Sequence, residues 1–346
     1  MKPNIFDIAT KELHQDAFIA WLIQWADPEN KKHDDLLHSC AQEFLRQLIA
    51  AQHQQTFSTI TKVEAGRGGW EYIDIWALVN TPEDNYLLII EDKTFSSEHS
   101  DQLIRYKKTG EDYCAKNNFK LVLVYIKTGS EPERILNLIR SKGFHTFNRQ
   151  DFIKLLEKHK DINNNIFRDF TDRLLNVEAT YNAFLTTKID NWNDECWIGF
   201  YQFLEHEIGL VHWHYVNPPG GGGFWNACLN WEDWEGFPVY LQIEQGKLCF
   251  KIATAPDEID VDYEFNRGEI RNKWNSIILA KAKSIGISEV RRPDRFGSGN
   301  YMTAAIVERD VWLGLGNSII DKPAIIKRLN RYKEFLVGCI ISKEMN

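Results

Sequence analysis

The hydrophobic and polar positions of residues 72–93 read as a β-hairpin. Residues 72–79 and 86–93 are rich in β-branched, aromatic and aliphatic side chains, and the residues between them, 80–85, are turn formers. A symmetric turn sets Val79 against Tyr86. Pairing back along the strands then puts Asp74 opposite Glu91, with Cβ atoms about 5 Å apart on one face. Lys93 lies two residues beyond Glu91 and shares that face. Two carboxylates and an ammonium on one side of an otherwise apolar ribbon need an explanation. One is a cation held by the carboxylates; the other is a structural ion cluster on a sheet surface.

The same reading predicts amphipathic helices over 10–26, with Thr10 as N-cap, and over 34–52. A strand at 59–64 follows, then a flexible turn at Gly66-Arg67-Gly68-Gly69. A polar loop at 94–100 leads to a helix over 101–116. Residues 120–127 are too uniformly apolar for a half-exposed strand and read as a buried one. Helices then flank a short strand near 145–147, and a helical pattern runs from 166 to 187. Asn191-Trp192-Asn193-Asp194 reads as a boundary. Beyond it come a helix (195–207), strands near 211–216, 224–229, 238–244 and 247–253, a helix (266–283), a strand (302–308) and a last helix from 323. This is a second α+β domain.

Composition narrows the class. A chain of 346 residues with 43% hydrophobic content suffices for one large or two medium domains. No apolar run is long enough to span a bilayer, and the N-terminus lacks a signal-peptide pattern. The six cysteines form no C-x-x-C pair and read as buried thiols of a cytoplasmic protein. A net charge of −8 argues against a large sequence-independent nucleic-acid surface but leaves room for a local basic groove.

Asp74, the sixteen residues that follow it, and Glu91-Asp92-Lys93 resemble the signature of the PD-(D/E)XK nuclease superfamily. The order of elements over residues 10–127 also resembles that fold: a helix, three meandering strands, a helix and a strand. Glu-Leu-His near the start, Ile-Asp-Ile, Ile-Ile-Glu-Asp-Lys and Asp-Gln-Leu-Ile-Arg-Tyr are similar to a bacterial, restriction-endonuclease-like group. One departure is Ile73 in place of Pro before Asp74. The resemblance implies an α/β restriction-endonuclease-like core over 1–190, a mixed central sheet flanked by helices. The C-terminal α+β domain over 191–346 would select substrate or partner.

What the resemblance implies chemically is metal-dependent phosphodiester hydrolysis, with DNA expected ahead of RNA. Asp74, Glu91 and the backbone carbonyl of Asp92 would hold Mg²⁺ or Mn²⁺, an ion often bound by only one or two carboxylates. Lys93 would position or deprotonate the attacking water, and Gln102 would contact phosphate or water. Glu12 on the first helix and Glu64 at the end of the strand before the hairpin are further metal-ligand candidates. Each has a plain alternative, as a helix-start glutamate and a strand-end surface charge. Arg105, Lys107 and Lys108 are candidate backbone contacts, as are Arg291, Arg292 and Arg295 in a loop that also carries Phe296 and Gly297. His212 and His214 share a strand face but lack further ligands for zinc. The expected partner is nucleic acid and not a membrane; homo-oligomerisation stays open. The resemblance alone suggests phage defence. The competing reading is a non-catalytic nucleic-acid- or protein-binding module that reuses the fold.

Overall fold

A computed structural model of the chain describes residues 3–53, 59–70, 72–96, 101–217 and 221–341. The chain divides into two compact units, Met1–Ala179 and Thr180–Asn346. The stretch read as a boundary, 191–194, lies inside the second.

The first unit runs α1 (Ile5–Ile8), α2 (Glu12–Gln24), α3 (Asp35–Ala50), β1 (Lys62–Arg67), β2 (Ile75–Asn80), β3 (Asn85–Lys93), α4 (Gln102–Asn117), β4 (Lys120–Lys127), α5 (Glu133–Ser141), β5 (His145–Asn148), α6 (Arg149–Lys158) and α7 (Asn165–Asn182), whose last residues cross the division. The strands form one mixed sheet in chain order. β1, β2 and β3 pair antiparallel, and β3, β4 and β5 pair parallel.

Period-two alternation sends successive side chains of β3 into two separate cores. Tyr86, Leu88 and Ile90 join Phe18 and Ile19 of α2, Phe44 and Leu45 of α3, and Phe152 of α6. Leu87 and Ile89 join Leu103 and Tyr106 of α4 and Ile139 of α5. A strand covered on both faces has no polar side to alternate with, and all but the first residue of β3 are buried.

The hairpin keeps the expected register, with Val79 facing Tyr86 and Ile75 facing Ile90. β2 starts at Ile75, so Asp74 stands one residue before the paired segment. The chain reaches it through Gly68, Gly69 and Tyr72, all at positive φ. β1 occupies Lys62–Arg67, not 59–64, and the turn begins only at Gly68. Gly66 belongs to the strand because it faces Trp76, whose ring would lie 2.9 Å from a Cβ at that position. Thr10 is not the cap of α2; Lys11 takes that place without a side-chain hydrogen bond. The helix expected to reach 187 ends at Asn182 and continues as a 3-10 turn, Ala183–Leu185.

The second unit contains α8 (Asp194–Ile208), β6 (His212–Val216), β7 (Phe224–Trp234), β8 (Phe237–Glu244), β9 (Lys247–Ala253), α9 (Arg267–Ser284), β10 (Tyr301–Glu308), α10 (Arg309–Trp312) and α11 (Lys322–Ile341). Its five strands form an antiparallel sheet in the order β10-β9-β8-β7-β6. Phe250 of β9 meets Phe335 of α11 edge-on at 5.5 Å, and Asn275 of α9 donates to the Ala304 carbonyl of β10 at 2.7 Å. β7 runs five residues past its expected end because a bulge between Cys228 and Asn230 lets it continue against β8. All six cysteines are buried free thiols. Part of the Gly220–Gly223 loop lies outside the described residues, as do residues 97–100 of the loop after Lys93.

The close approach of two segments beyond β3 and β4 depends on one glycine. The Thr128 amide donates to the Lys93 carbonyl at 3.1 Å, and a Cβ on Gly129 would fall 1.8 Å from the Thr94 carbonyl oxygen. Backbone cannot yield as a flexible side chain can. Gly129→Ala is therefore expected to destabilise the protein by about 3 kcal/mol, at the upper end for overpacking, and urea or thermal unfolding would measure it.

Candidate active site

The end of β3 carries the site. Glu91 is fully buried on the α4 face of the sheet and Lys93 nearly so. The Lys93 ammonium is ion-paired with Glu91 Oε1 and stands 3.6 Å from Asp74 Oδ2. The same Asp74 oxygen is tied to the strand: the Asp92 amide donates to it at 3.3 Å. The Asp92 carbonyl oxygen lies 3.4 Å from Lys93 Nζ, on the same side. The hairpin pairing thus gathers Asp74, Glu91, Lys93 and the Asp92 carbonyl at one place.

α4 adds two groups one helical turn apart. Gln102 Nε2 donates to Glu91 Oε2 at 2.9 Å and lies 2.8 Å from the Tyr106 hydroxyl. That hydroxyl donates to the carbonyl of Tyr72, the left-handed residue two positions before Asp74. Burial raises the Tyr106 pKa, which keeps the donor protonated. Gln102 and Tyr106 therefore join the strand that carries Glu91 to the turn that carries Asp74. Tyr106 is thus both a core residue on the α4 face and a restraint on the turn before Asp74.

The electrostatics are unfavourable for an isolated protein. Burial, and then the negative charge of Asp74, push the Glu91 pKa to about 8, against the pull of Lys93. Burial alone would lower the Lys93 pKa, but Glu91 and Asp74 carry it above its ordinary value. A carboxylate held this way beside a second one suits an added positive charge, and the oxygen donor set suits a hard divalent cation. Among the described residues, no group of three or more His, Cys, Asp or Glu side chains is arranged as a metal site. The side-chain donors here are two carboxylates.

Glu12 sits close enough for Lys93 to feel its charge, but its oxygens are engaged elsewhere. Oε1 accepts from the Thr94 amide at 2.7 Å and the Ser96 amide at 3.2 Å, and the Ser96 hydroxyl donates to both oxygens. Burial opposes ionisation of Glu12, yet these bonds, with Lys93 nearby, hold its pKa below the ordinary value. Glu12 clamps the segment that leaves β3. Glu64 does not reach the site. It faces Leu78, four residues along the sheet from Asp74, or about 13 Å, and is ion-paired with Lys62 in solvent. Arg105 and Lys108 are exposed on α4, whereas Lys107 is half-buried. In the second unit, Arg291 is taken up by Asp294 at 2.8 Å and by Glu308. The rings of His212 and His214 lie beside each other, tilted by 31°, at 5.1 Å between centroids.

Behind β3, on the α2 face, lies a layer that the sequence reading missed. The Asp92 side chain points away from Glu91 and is buried, with Gln15 Nε2 donating to its Oδ1 at 2.6 Å. Asp16 of α2 is beside it. Burial raises the Asp16 pKa to about 6, and burial followed by the Asp16 charge raises that of Asp92 well above its ordinary value. Burial thus disfavours charge on both carboxyls. Arg67 Nη2 stands 3.9 Å from Asp16 Oδ2. Gln15 Oε1 accepts from the Thr128 hydroxyl at 2.8 Å, which connects this layer to the segment after β4. The only sequence signal was the run Gln15-Asp16, polar side chains amid the apolar positions of the first helix.

The Glu12 clamp carries a prediction. Glu12→Ala leaves the Thr94 and Ser96 amides without their acceptor and should cost about 2 kcal/mol. Because the folded pKa of Glu12 is depressed, its contribution is complete above the unfolded value of 4.5. It is lost as pH falls through the folded value. Unfolding of the wild type and the variant should therefore differ at pH 7 and converge in acid.

A family model described as PD-(D/E)XK nuclease superfamily matches residues 3–186. None of the curated proteins or solved structures compared with the chain matches it significantly. The matched span contains the whole hairpin, α2 and α4, and so every residue gathered around Lys93. On that match, the chain belongs to the PD-(D/E)XK nuclease superfamily.

Proposed function

We propose that the first unit is a divalent-cation-dependent nuclease that hydrolyses phosphodiester bonds in DNA. The observation that carries this reading is the convergence of Asp74 and Glu91 on the Lys93 ammonium. Asp74, Glu91 and the Asp92 carbonyl would hold Mg²⁺ or Mn²⁺. When bound, such an ion makes a nearby water more acidic and polarises the phosphoryl oxygen.

The chain's own groups would do the rest. Lys93 is protonated while Glu91 and Asp74 support its charge, so in that state it is a donor and not a base. Lys93 would orient the attacking water and offset charge developing on the phosphate. Gln102, bonded to Glu91 through Nε2, would hold that carboxylate's orientation and keep its carbonyl oxygen for water. Tyr106 would keep Asp74 in reach through the Tyr72 carbonyl.

Asp74→Ala and Lys93→Ala should each lower cleavage of duplex or single-stranded DNA in Mg²⁺ or Mn²⁺ by at least about 100-fold, with thermal unfolding retained. Cleavage that survives both substitutions would sink the assignment. Loss of metal binding at this site altogether would favour a binding module that reuses the fold.

The raised Glu91 pKa sets a pH dependence. Without a cation, the folded state keeps a proton on Glu91 that the unfolded chain loses above 4.5, so this residue's contribution to stability falls as pH rises from 4.5 to about 8. Cation binding must displace that proton. Affinity for Mn²⁺ is expected to rise by about tenfold per pH unit below 8 and to level off above it. Calorimetry in buffers of different ionisation heat would register about one proton released at neutral pH and none in Glu91→Gln.

A further inference from the structure

Phe296 in the second unit is a platform for two guanidinium groups. The Cζ atoms of Arg271 and Arg292 stand 4.1 and 4.2 Å from its ring centroid. Arg271 projects from the first turns of α9, and its Nη1 donates to the Gly297 carbonyl at 2.6 Å, which fixes it against the loop. Arg292 and Arg295 are exposed on the same loop.

The charges of this group are not neutralised locally. Among the described residues, no carboxylate forms an ion pair with Arg271, Arg292 or Arg295. The two acidic side chains between α9 and β10 are taken up by other arginines, Glu289 by Arg331 at 3.1 Å and Asp294 by Arg291 at 2.8 Å. A ring quadrupole attracts each cation, by about 0.5–1 kcal/mol at an exposed site, but it does not cancel the repulsion between them. Two like charges gathered on one ring without a counter-ion are suited to an anion from outside. Guanidinium groups are weakly hydrated, planar donors that match phosphate oxygens two at a time. Approach is open: a Cβ built on Gly297 or Gly299 would meet nothing within 4 Å.

We propose that Arg271, Arg292, Arg295 and Phe296 form a phosphate clamp for a nucleic-acid strand. The clamp rests on the nuclease reading for the kind of phosphate it takes, and it deepens that reading by giving the second unit a part in holding substrate. It also explains how a chain of net charge −8 can grip a polyanion: the positive charge is local and unpaired, not spread over the surface. Arg291, a candidate from the sequence, drops out because its two carboxylate partners consume it. Arg271, a single helix position that no motif marks, replaces it.

The test is binding without cleavage. The full chain, in EDTA, is titrated against short fluorescein-labelled DNA as single strand and duplex, and against RNA, over a series of salt concentrations, with anisotropy as the readout. Arg292→Ala/Arg295→Ala is expected to weaken binding at least tenfold. The slope of log affinity against log salt should become shallower by about 0.7 for each single-strand phosphate that the variant no longer neutralises. Phe296→Leu, which keeps every charge but removes the platform, should weaken binding with little change in slope. Affinity and slope equal to wild type in the arginine double variant would overturn the clamp. So would a wild-type chain that binds none of the three probes. Cleavage is scored separately, in Mg²⁺ or Mn²⁺. A chain that binds through these arginines but never cuts would refute the nuclease reading and leave the clamp; a chain that cuts but binds independently of them would do the reverse.

Discussion

The structure depends on a carboxylate that is hard to keep ionised. Glu91 has no exposed surface, stands beside Asp74 and is held by one ammonium and one amide. Burial of a charge is tolerated only with close, well-aligned partners, and removing one of them leaves the other stranded. This explains why so much of the first unit is arranged around the end of β3. The two-sided burial of the strand supplies the low dielectric. The hairpin register brings Asp74 across. α4 brings Gln102, and through Tyr106 it also restrains the turn on which Asp74 stands.

A second set of polar contacts holds the segment that leaves the strand. Glu12, Gln15 and Asp16 come from one helix and grip different groups: the Thr94 and Ser96 amides, the Thr128 hydroxyl together with Asp92, and Arg67. On the far side, the buried ammonium of Lys127 is paired with Glu131 at 2.9 Å and donates to the Ser96 carbonyl. Arg149, also buried, donates to the Thr128 and Gly129 carbonyls at 2.7 and 3.0 Å and is balanced by Glu178. Each of these bonds satisfies a buried backbone or side-chain group that would otherwise be costly. Together they make the ends of β3 and β4 rigid where loops would be expected to move. Holding Asp74 and Glu91 within reach of the Lys93 ammonium needs that rigidity, because misplacement of either side chain loses the arrangement.

The hairpin was legible because a period of two leaves few choices. Once Val79 faced Tyr86, the faces of Asp74, Glu91 and Lys93 followed, and a slip of one residue would have turned the carboxylates apart. Gln102 was legible as a helix position one turn from Tyr106. Glu64 was ambiguous because a strand-end acid looks the same whether it points at a site or at a neighbouring lysine; only the position of β1, set by the fit of Gly66 under Trp76, decides it. Asp16 and Gln15 were not legible as partners of Asp92, since nothing in local spacing says which helix crosses behind a strand. The placement of Arg271 against the Phe296 loop was hidden for the same reason: the bond from its guanidinium to Gly297 spans 26 residues of chain. Long-range polar contacts carry no periodicity, so they leave no trace in a pattern of hydrophobic and polar positions.

The buried pair behind the strand bears on how the site can change state. Asp92 turns its carbonyl toward Lys93 on one face of β3 and its carboxyl toward Gln15 on the other, so a single residue joins the surroundings of Lys93 to the α2 layer. Burial raises the Asp92 pKa and so disfavours a further negative charge beside Asp74 and Glu91. Were Asp92 ionised, a further uncompensated charge would lie within one residue of Glu91 and raise its pKa again. The apolar packing of Leu88 and Ile90 beside Asp92 therefore does electrostatic work as well as structural work. It raises the pKa of the second carboxyl, and in doing so it disfavours a charge that would make Glu91 harder still to ionise.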